Sequence, residues 1–291
     1  MPGISRRALY AAATSDRLRT VVMRSTPLRK WALARAERFV AGETISEALG
    51  TTRELVGRGF AVSIDRFGEG LDDLDAIAGI VDEYQSLGRA VAGIEGDVYL
   101  EVVPSHLGID VSVDFFCEQA RGVADGLPSD ARLEISAEES HRTARIIDAC
   151  LRLTGDGVPV VATVQANLRR SESDARMLVD AGVPVRLVKG AYVEPPEVAY
   201  AWGEPVDVAF VRLAHQLADW DADLTLATHD PVIREALLPA VGDVGIEMLL
   251  GVRPHDALEL VDRGYHVRVY VPYGSDWFRY WMRRVAEGRG A

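Results

Sequence analysis

Two adjacent arginines near the end of the chain, Arg283 and Arg284, have the spacing of a carboxylate-binding site. They follow Tyr280 by three and four residues, and Glu287 follows Tyr280 by seven. If Ser275 caps a helix, these positions lie on one helical face. Neighbouring guanidinium groups hold a carboxylate through paired, charge-assisted hydrogen bonds. The pattern predicts a carboxylate site or, as the alternative, an exposed charged face. The many aromatic residues of this run favour the site.

A second candidate site follows the apolar run at residues 185–188. Arg186 and Lys189 place two cations at the end of a predicted buried strand, and the turn at Gly190-Ala191 lets a flat ligand approach the backbone. A flavin ring gains negative charge at N1 and at the C2 carbonyl when it is reduced, so cations at this edge favour reduction. The segment is typical of a flavin contact. Ion pairs with acids at neighbouring strand ends are the alternative.

A third candidate site is the pair Thr228-His229, which precedes an Asp-Pro sequence typical of a helix start. The free N–H groups of a first helical turn, the hydroxyl and the imidazole would together form a cradle for a phosphate or a ribose. A structural histidine is the alternative. The six histidines form no HxxxH or HExxH pattern and the two cysteines no CxxC pair, so the sequence predicts no metal site.

These residues lie where the chain alternates between short apolar runs and helical patterns. Eight runs predict strands buried on both faces. They are Phe60–Asp65, Val98–Val103, Arg132–Ser136, Val158–Gln165, Val185–Lys189, Asp223–Thr228, Ile246–Leu250 and Val267–Val271. Helices are predicted between them at Leu71–Gly88, Glu138–Leu153, Ser173–Ala181, Val206–Asp219 and Pro231–Val241.

Strand–helix alternation repeated eight times predicts a closed (β/α)8 barrel, with helices in residues 1–57 and the barrel in residues 58–291. An open doubly wound sheet is disfavoured because no GxGxxG follows the first strand. Barrel enzymes carry their catalytic groups at the carboxyl ends of the strands. Polar residues are found there in every run, namely Asp65, Glu101, Ser136, Gln165, Arg186 with Lys189, Thr228 with His229, Glu247 and Tyr270.

Composition narrows the range of partners and locations. A net charge of −12 argues against a nucleic-acid partner, and two unpaired cysteines fit the reducing cytoplasm. No apolar run reaches the length of a membrane span. Residues 1–38 nevertheless contain nine Lys or Arg against two acids. Such a basic helical segment either packs on the barrel or another subunit or contacts an anionic membrane surface.

Taken together, the segments resemble the proline dehydrogenase family. The run from Arg186 to Tyr192 is similar to its strand-five motif, and Ala227-Thr228-His229 is similar to its strand-six motif. The run from Tyr270 through Tyr280 to Arg284 resembles its last strand and helix, with the short spacing of the small monofunctional bacterial enzymes. Gln165–Arg170 and Asp65 with Gly68-Glu69 are also similar, so the resemblance extends from about Phe39 to Glu287.

The resemblance implies a barrel with FAD across its carboxyl-terminal face. The implied flavin contacts are Gln165, Arg186, Val188, Lys189, Ala191, Thr228, His229 and Glu287. Arg283 and Arg284 would hold the substrate carboxylate, and Tyr192, Tyr270 and Tyr280 would close around its ring. The implied reaction is hydride transfer from the carbon beside the ring nitrogen to flavin N5. A membrane quinone would receive the electrons, which is compatible with a cytoplasmic protein at the periphery of the inner membrane.

Two predicted substrate-pocket residues, Glu101 and Ser136, depart from the family pattern. The family typically has Lys where this chain has Glu101, and Asp where it has Ser136. In strand seven, Gly245 and Leu250 stand where the family usually has an acid and a Tyr. Glu101 would pair with Arg283 or Arg284, or would face a donor group on a different cyclic or secondary amine. Two other functions stay open: a flavin-dependent reductase of the folate type, and a degenerate barrel that binds FAD or a metabolite without catalysis.

Overall fold

The computed structural model describes residues 16–68 and 70–287, apart from the side chains of residues 16–18, 286 and 287. Eight parallel strands close into a barrel in chain order, each paired with the next and the last with the first. They are β1 (Ala61–Arg66), β2 (Val98–Val102), β3 (Leu133–Ile135), β4 (Val160–Gln165), β5 (Val185–Val188), β6 (Leu224–Ala227), β7 (Gly245–Leu249) and β8 (Val267–Tyr273). The predicted (β/α)8 barrel is confirmed.

Three helices precede the barrel, namely α1 (Asp16–Arg24), α2 (Thr26–Ala36) and α3 (Ile45–Gly57). The others follow the strands in turn: α4 (Leu74–Val91), α5 (Val113–Ala124), α6 (Ser140–Gly155), α7 (Ser171–Asp180), α8 (Glu204–Asp219), α9 (Pro231–Leu237), α10 (Pro254–Asp262) and α11 (Trp277–Glu287). Helices α5 and α10 were not among the predicted ones. Within the described residues, no helix combines the length and the apolar character that crossing a membrane requires.

Local sequence signals explain where several of these elements begin. Thr44 and Glu47 form a reciprocal capping box at the start of α3, which satisfies backbone N–H groups that the first turn leaves free. Asp230 caps α9 by accepting from the backbone N–H groups of residues 232 and 233. Strand β8 continues two residues beyond the predicted end at Val271, because residues 272 and 273 remain paired with β1.

The barrel buries charged side chains in its interior, apart from the main apolar core. Leu and Val side chains between the strands and the surrounding helices form the main core. Inside the barrel, by contrast, the strands bury six charged residues, which are Asp65, Glu101, Glu134, Arg186, Glu247 and Arg268. Buried charges are costly unless they are paired. Glu101, Glu134 and Glu247 pair with Arg186, a grouping that marks a site, whereas Arg268 pairs with Asp97.

A second apolar cluster joins the first helices to the last. Ala32 and Ala36 of α2 are inaccessible and pack with Trp277, Phe278 and Trp281 of α11. The ring centroids of Trp277 and Phe278 each lie 6.0 Å from that of Trp281, within the range of favourable aromatic pairs. One face of α11 is thereby fixed against α2, and the adjacent face, with Tyr280 and Arg284, lies at the barrel mouth.

Candidate active site

A cavity of about 590 Å³ opens at the carboxyl ends of the strands. This volume is typical of sites for small molecules and cofactors. It brings together the predicted site residues Glu101, Ser136, Gln165, Arg186, Val188, Lys189, Ala191, Tyr192, Thr228, His229, Tyr270, Tyr280, Arg283 and Arg284. The side chain of Glu287, which was also predicted to contact the cofactor, lies outside the described part of the chain.

The rim of the cavity is formed by α11. Tyr280, Arg283 and Arg284 line the cavity on the helical face next to the buried tryptophans, and Tyr280 also packs against the tryptophan cluster. The guanidinium carbon of Arg284 lies 5.0 Å from the centroid of the Tyr280 ring, and that ring lies 6.1 Å from Tyr270. The predicted helical face is therefore directed into the cavity and not into solvent.

The floor of the cavity is organised around the guanidinium group of Arg186, which reaches across the barrel. It bonds both carboxylate oxygens of Glu101, at 2.6 and 2.8 Å, and one oxygen of Glu247 at 2.5 Å. Its Nε donates to Thr163 at 3.0 Å and lies 3.1 Å from Glu134. Burial alone disfavours the charged guanidinium, but the three glutamates outweigh it and raise the pKa of Arg186 well above its usual value.

These contacts restrict what Arg186 can offer to a cofactor. A guanidinium carries five N–H groups, and its bonds to Thr163, Glu101 and Glu247 use four of them. At most one remains for another partner. The carboxylates around Arg186 also offset the positive charge that the sequence predicted for this position. Of the two predicted cations, Lys189 is the more exposed.

The predicted pairing of Glu101 with Arg283 or Arg284 is wrong. Glu101 is buried and forms its ion pair with Arg186, and it also accepts a hydrogen bond from the hydroxyl of Ser136. The reason is the barrel register, which places the Glu101 side chain in the layer of the floor, while α11 lies at the rim. The negative charge of Glu101 is therefore compensated within the protein.

Asp65 adds a further carboxyl group to the floor. One of its oxygens accepts a hydrogen bond from Tyr270 at 2.5 Å and the other from Tyr84 at 3.2 Å. Burial, and then the negative charge of Glu101, raise the pKa of Asp65 to about 7. Burial likewise raises the pKa of Glu247, and that of Glu134 still further. The floor therefore holds more acid groups than cations and retains protons near neutral pH.

Lys189 and His229 line another side of the cavity. The ammonium group of Lys189 lies 2.6 Å from Asp207 and 3.1 Å from Asp230. His229 accepts a hydrogen bond at Nε2 from the backbone N–H of Leu249, at 2.9 Å. Burial, and then the charge of Arg284, lower the pKa of His229 to about 3. Its imidazole is therefore neutral, and the proton on Nδ1 is available as a donor.

The Gly190-Ala191 turn brings the backbone into close contact with the side chain of Asn167. Gly190 has a φ of +106°, and a Cβ atom there would lie 2.1 Å from Oδ1 of Asn167. Only glycine fits such a position without strain. Ala191, at the next position, lines the cavity with a small side chain.

The carboxylates of the floor could, by their types alone, suggest a metal. Oxygen atoms of Glu101, Glu134 and Glu247 lie within 4.8 Å of one another. The guanidinium group of Arg186 contacts all three, so the chain supplies the cation of this cluster itself.

Several residues of the site were not singled out in the sequence. Glu134 and Thr163 complete the floor, and Asp207 supplies a partner for Lys189. Side chains two residues apart on a strand point to the same face. Glu134 and Thr163 lie two residues before the predicted site residues Ser136 and Gln165, so this alternation could have indicated them. No comparable signal pointed to Asp207.

Comparisons with known proteins agree with this geometry. The sequence model of the family described as "Proline dehydrogenase" matches residues 48–291. A proline dehydrogenase of Deinococcus radiodurans is 34% identical over 272 residues, covering 89% of this chain and 87% of that protein. Proline dehydrogenase 1 of Bacillus subtilis is 30% identical over 261 residues, covering 87% and 86%.

Solved structures show the same fold. Proline utilization A (PutA) from Bdellovibrio bacteriovorus superposes with a TM-score of 0.78 at 18% identity, over 99% of this chain and 39% of that one. PutA from Bradyrhizobium japonicum gives a TM-score of 0.74 at 20% identity, over 88% and 31%. The chain therefore spans well under half the length of these PutA proteins.

The fold and the cavity define a (β/α)8 barrel with its site at the carboxyl ends of the strands. The match over most of the chain, and relatives at 30% and 34% identity, establish more than the fold. The chain belongs to the proline dehydrogenase family, whose members act on a CH–NH group. The resemblance inferred from the motifs is confirmed.

Proposed function

We propose that this protein oxidises proline, or a closely related cyclic secondary amino acid, to the corresponding cyclic imine, with FAD as the hydride acceptor at N5. The observation that carries the proposal is the division of charge within one cavity. Arg283 and Arg284 line its rim, while Asp65, Glu101 and Glu247 line its floor around Arg186. An amino acid zwitterion carries a carboxylate and an ammonium group, and the two ends of the cavity complement them.

The floor has the sign that an ammonium group requires. Asp65, Glu101, Glu134 and Glu247 stand against the single guanidinium of Arg186. The next buried guanidinium, that of Arg268, is paired with Asp97 at 2.6 Å. Glu101 is already paired with Arg186, so the substrate needs no second cationic group to compensate the charge of Glu101. This favours proline over a more basic cyclic amine.

The residues of the cavity fit a flavin. Proline dehydrogenases are flavoenzymes, and a bound flavin supplies the hydride acceptor. Its ring carbonyls and nitrogens accept hydrogen bonds, which Lys189, His229 and Gln165 would donate. The small residues Gly190 and Ala191 line the cavity and would leave room for a flat ring, and the buried Oδ1 of Asn167, which packs against Gly190, has no hydrogen-bond partner. Val188, Ala191 and Thr228 would complete the contact, with Arg186 contributing at most one N–H group.

The remaining residues would orient the substrate. Tyr192, Tyr270 and Tyr280 line the cavity and would enclose the ring of the substrate, which excludes water from the reacting C–H bond. Orientation matters because hydride transfer needs the reacting atoms about 3–3.5 Å apart. Arg283 and Arg284 would fix the carboxylate and thereby the ring.

The proposal is tested by flavin absorbance without oxygen. We expect the purified protein to bind FAD, and proline to bleach the oxidised flavin band; hydroxyprolines and larger cyclic amines define the specificity. A flavoprotein that no cyclic amine bleaches would support the degenerate, non-catalytic barrel instead. Failure to bind FAD would refute both that alternative and the proposed reaction.

We also propose that the helical arm, residues 1–57, brings the enzyme to an anionic membrane, where a quinone would accept the electrons. Three large apolar side chains of this arm are exposed: Val21 (59%), Leu28 (45%) and Trp31 (55%). The exposed cations Arg24, Lys30 and Arg35 accompany them. The guanidinium of Arg35 lies 3.9 Å from the centre of the Trp31 ring. Apolar and basic side chains together are typical of a surface that docks on anionic lipid.

Vesicle binding tests the docking surface. We expect sedimentation with phosphatidylglycerol vesicles but not with phosphatidylcholine vesicles, because the protein as a whole carries a net charge of −12 and only a local basic surface can attract anions. Lys30→Glu should weaken binding by roughly 30-fold, since each basic residue near such a surface contributes about 1 kcal/mol and the change reverses the charge. Met177→Glu, at an exposed apolar residue of α7, is the matched control. Equal loss in both variants, or equal binding to both lipids, would contradict the proposal.

A further inference from the structure

Oxidation of an amino acid at its CH–NH group requires the loss of a proton as well as a hydride. An amino acid in water carries an ammonium group, which has no free electron pair on nitrogen. The nitrogen must lose a proton before the neighbouring C–H bond can release hydride, since the electron pair forms the new C=N bond. The site must therefore contain a proton acceptor near the acidic end of the cavity. This inference rests on the proposed function.

The hydroxyl of Tyr270 and the carboxylate of Asp65 form a hydrogen bond in the floor that involves no ion-paired group. Both residues line the cavity, and the Tyr270 hydroxyl donates to Oδ2 of Asp65 at 2.5 Å. The two residues lie on the neighbouring strands β8 and β1. Tyr270 also packs beside Tyr280, so its ring is close to the rim as well as to the floor.

The groups that face Asp65 leave it able to take up a proton. They are Glu101 on β2, Arg186 on β5, Tyr84 on α4, and Tyr270 and Tyr273 on β8. The only cation among them, Arg186, is surrounded by its three glutamates. Burial and the charge of Glu101 raise the pKa of Asp65 to about 7, so near neutrality the carboxylate is a much better proton acceptor than an exposed one.

The other candidate acceptors would lose an ion pair on protonation or are too weakly basic. Glu101 binds the guanidinium of Arg186 through both oxygens and Glu247 binds it through Oε1, so a proton on either carboxylate would weaken that pair. The Nε2 atom of His229 already accepts a hydrogen bond from Leu249, and the pKa of its imidazole is lowered to about 3. Ser136 is a donor to Glu101.

We propose that Tyr270 and Asp65 form a relay that takes the proton from the substrate nitrogen. The ammonium N–H bond breaks and its proton joins the Tyr270 oxygen, while the Tyr270 O–H bond breaks and its proton joins Oδ2 of Asp65. The products are a neutral amine, an intact phenol and a neutral carboxyl group, and no electrons are transferred in this step. The carboxyl group returns its proton to water when the product leaves the cavity.

The pH dependence of flavin reduction tests the relay. In the wild type, the rate of reduction by proline should fall as the pH drops below about 7, because Asp65 must be ionised to accept the proton. Asp65→Asn should lower the rate by about 10²- to 10⁴-fold, the usual contribution of a positioned acid or base, and should abolish that limb of the profile. Tyr270→Phe should do the same while the carboxylate remains.

Tyr84→Phe is the matched control, because it removes the Tyr84 hydroxyl, which donates to the Glu101 carbonyl at 2.9 Å and lies 3.2 Å from the other oxygen of Asp65, and leaves the relay intact. Since that hydroxyl favours the ionised Asp65, its loss should move the acid limb to higher pH and leave the plateau rate within a few fold. A structural role for Asp65 alone would not shift the limb in this way.

Infrared difference spectra give a readout that does not depend on turnover. Reduced enzyme binds proline without reacting further, and binding should produce the carbonyl band of a protonated carboxyl group. The band should be absent in Asp65→Asn, and absent when the ligand is the ring-oxygen analogue of proline, which has no amine proton. A second outcome is that proline bleaches the flavin of the wild type while Asp65→Asn keeps the wild-type pH profile and carbonyl band. That outcome would overturn the relay alone. No bleaching of the wild type would overturn the proposed reaction, and the relay with it.

Discussion

Replacing Arg284 by Met is expected to lower the turnover of proline on the order of 10²- to 10³-fold while the flavin stays bound. Truncating one partner of a desolvated charge pair costs about 2–5 kcal/mol, much of it from the charge left without a partner. The partner here would be the substrate carboxylate. The effect should appear mainly in kcat/KM, measured by flavin reduction over a range of proline concentrations.

The flavin spectrum and a neighbouring variant serve as controls for this substitution. Met282→Leu changes a side chain of the same helix that packs toward α2 and carries no charge, so its turnover should stay near that of the wild type. Arg283→Met should resemble Arg284→Met if both guanidinium groups hold the carboxylate. Unchanged turnover in Arg284→Met would refute its role in substrate binding.

Replacing Glu101 by Lys is expected to lower the free energy of unfolding by about 3–5 kcal/mol, the usual cost of breaking a buried ion pair. Glu101 is only 2% exposed and forms two hydrogen bonds to Arg186. A lysine there would place two cations side by side in the floor. Urea unfolding followed by tryptophan fluorescence measures the loss. By sequence alone the same change would restore the family pattern and improve proline oxidation, and a gain in activity would contradict the ion pair.

Glu134→Gln is the matched control for the floor. Glu134 contacts Arg186 at Nε, at 3.1 Å, and burial raises its pKa well above its usual value, so its charge contributes less to the floor than that of Glu101. Glutamine has nearly the same shape, and its substitution should change stability by less than about 1 kcal/mol. A loss as large as that of Glu101→Lys would mean that the Glu134–Arg186 pair matters to the floor as much as the Glu101–Arg186 pair.

The strands and the helix that carries the arginines could be predicted because their signals are local. Each predicted strand overlaps the observed one, since buried runs of Val, Ile and Leu bounded by Gly, Pro or Asp admit few other structures. The spacing of Tyr280, Arg283 and Arg284 fixed one helical face. Helix α10 had a weaker signal, because Arg253 at its start forms no side-chain cap.

The partners of charged residues could not be predicted because they are set across the barrel. Arg186 meets Glu101, Glu134 and Glu247 from three strands that are not its neighbours in the sheet. Which side chains share a layer depends on the closure and register of all eight strands. A pattern along the chain identifies the charged residues but not the distance between them.

The packing of α2 against α11 has a consequence for how the site is assembled. Contacts between residues near the start of the chain and residues near its end close one of its longest loops, which carries a large entropic cost. Trp277 is further tied to this region by a hydrogen bond from its indole N–H to Glu43, at 2.7 Å. Closure of the barrel joins β1 to β8, which are almost as far apart along the chain, so the contacts that orient the guanidinium pair and those that complete the barrel carry similar entropic costs.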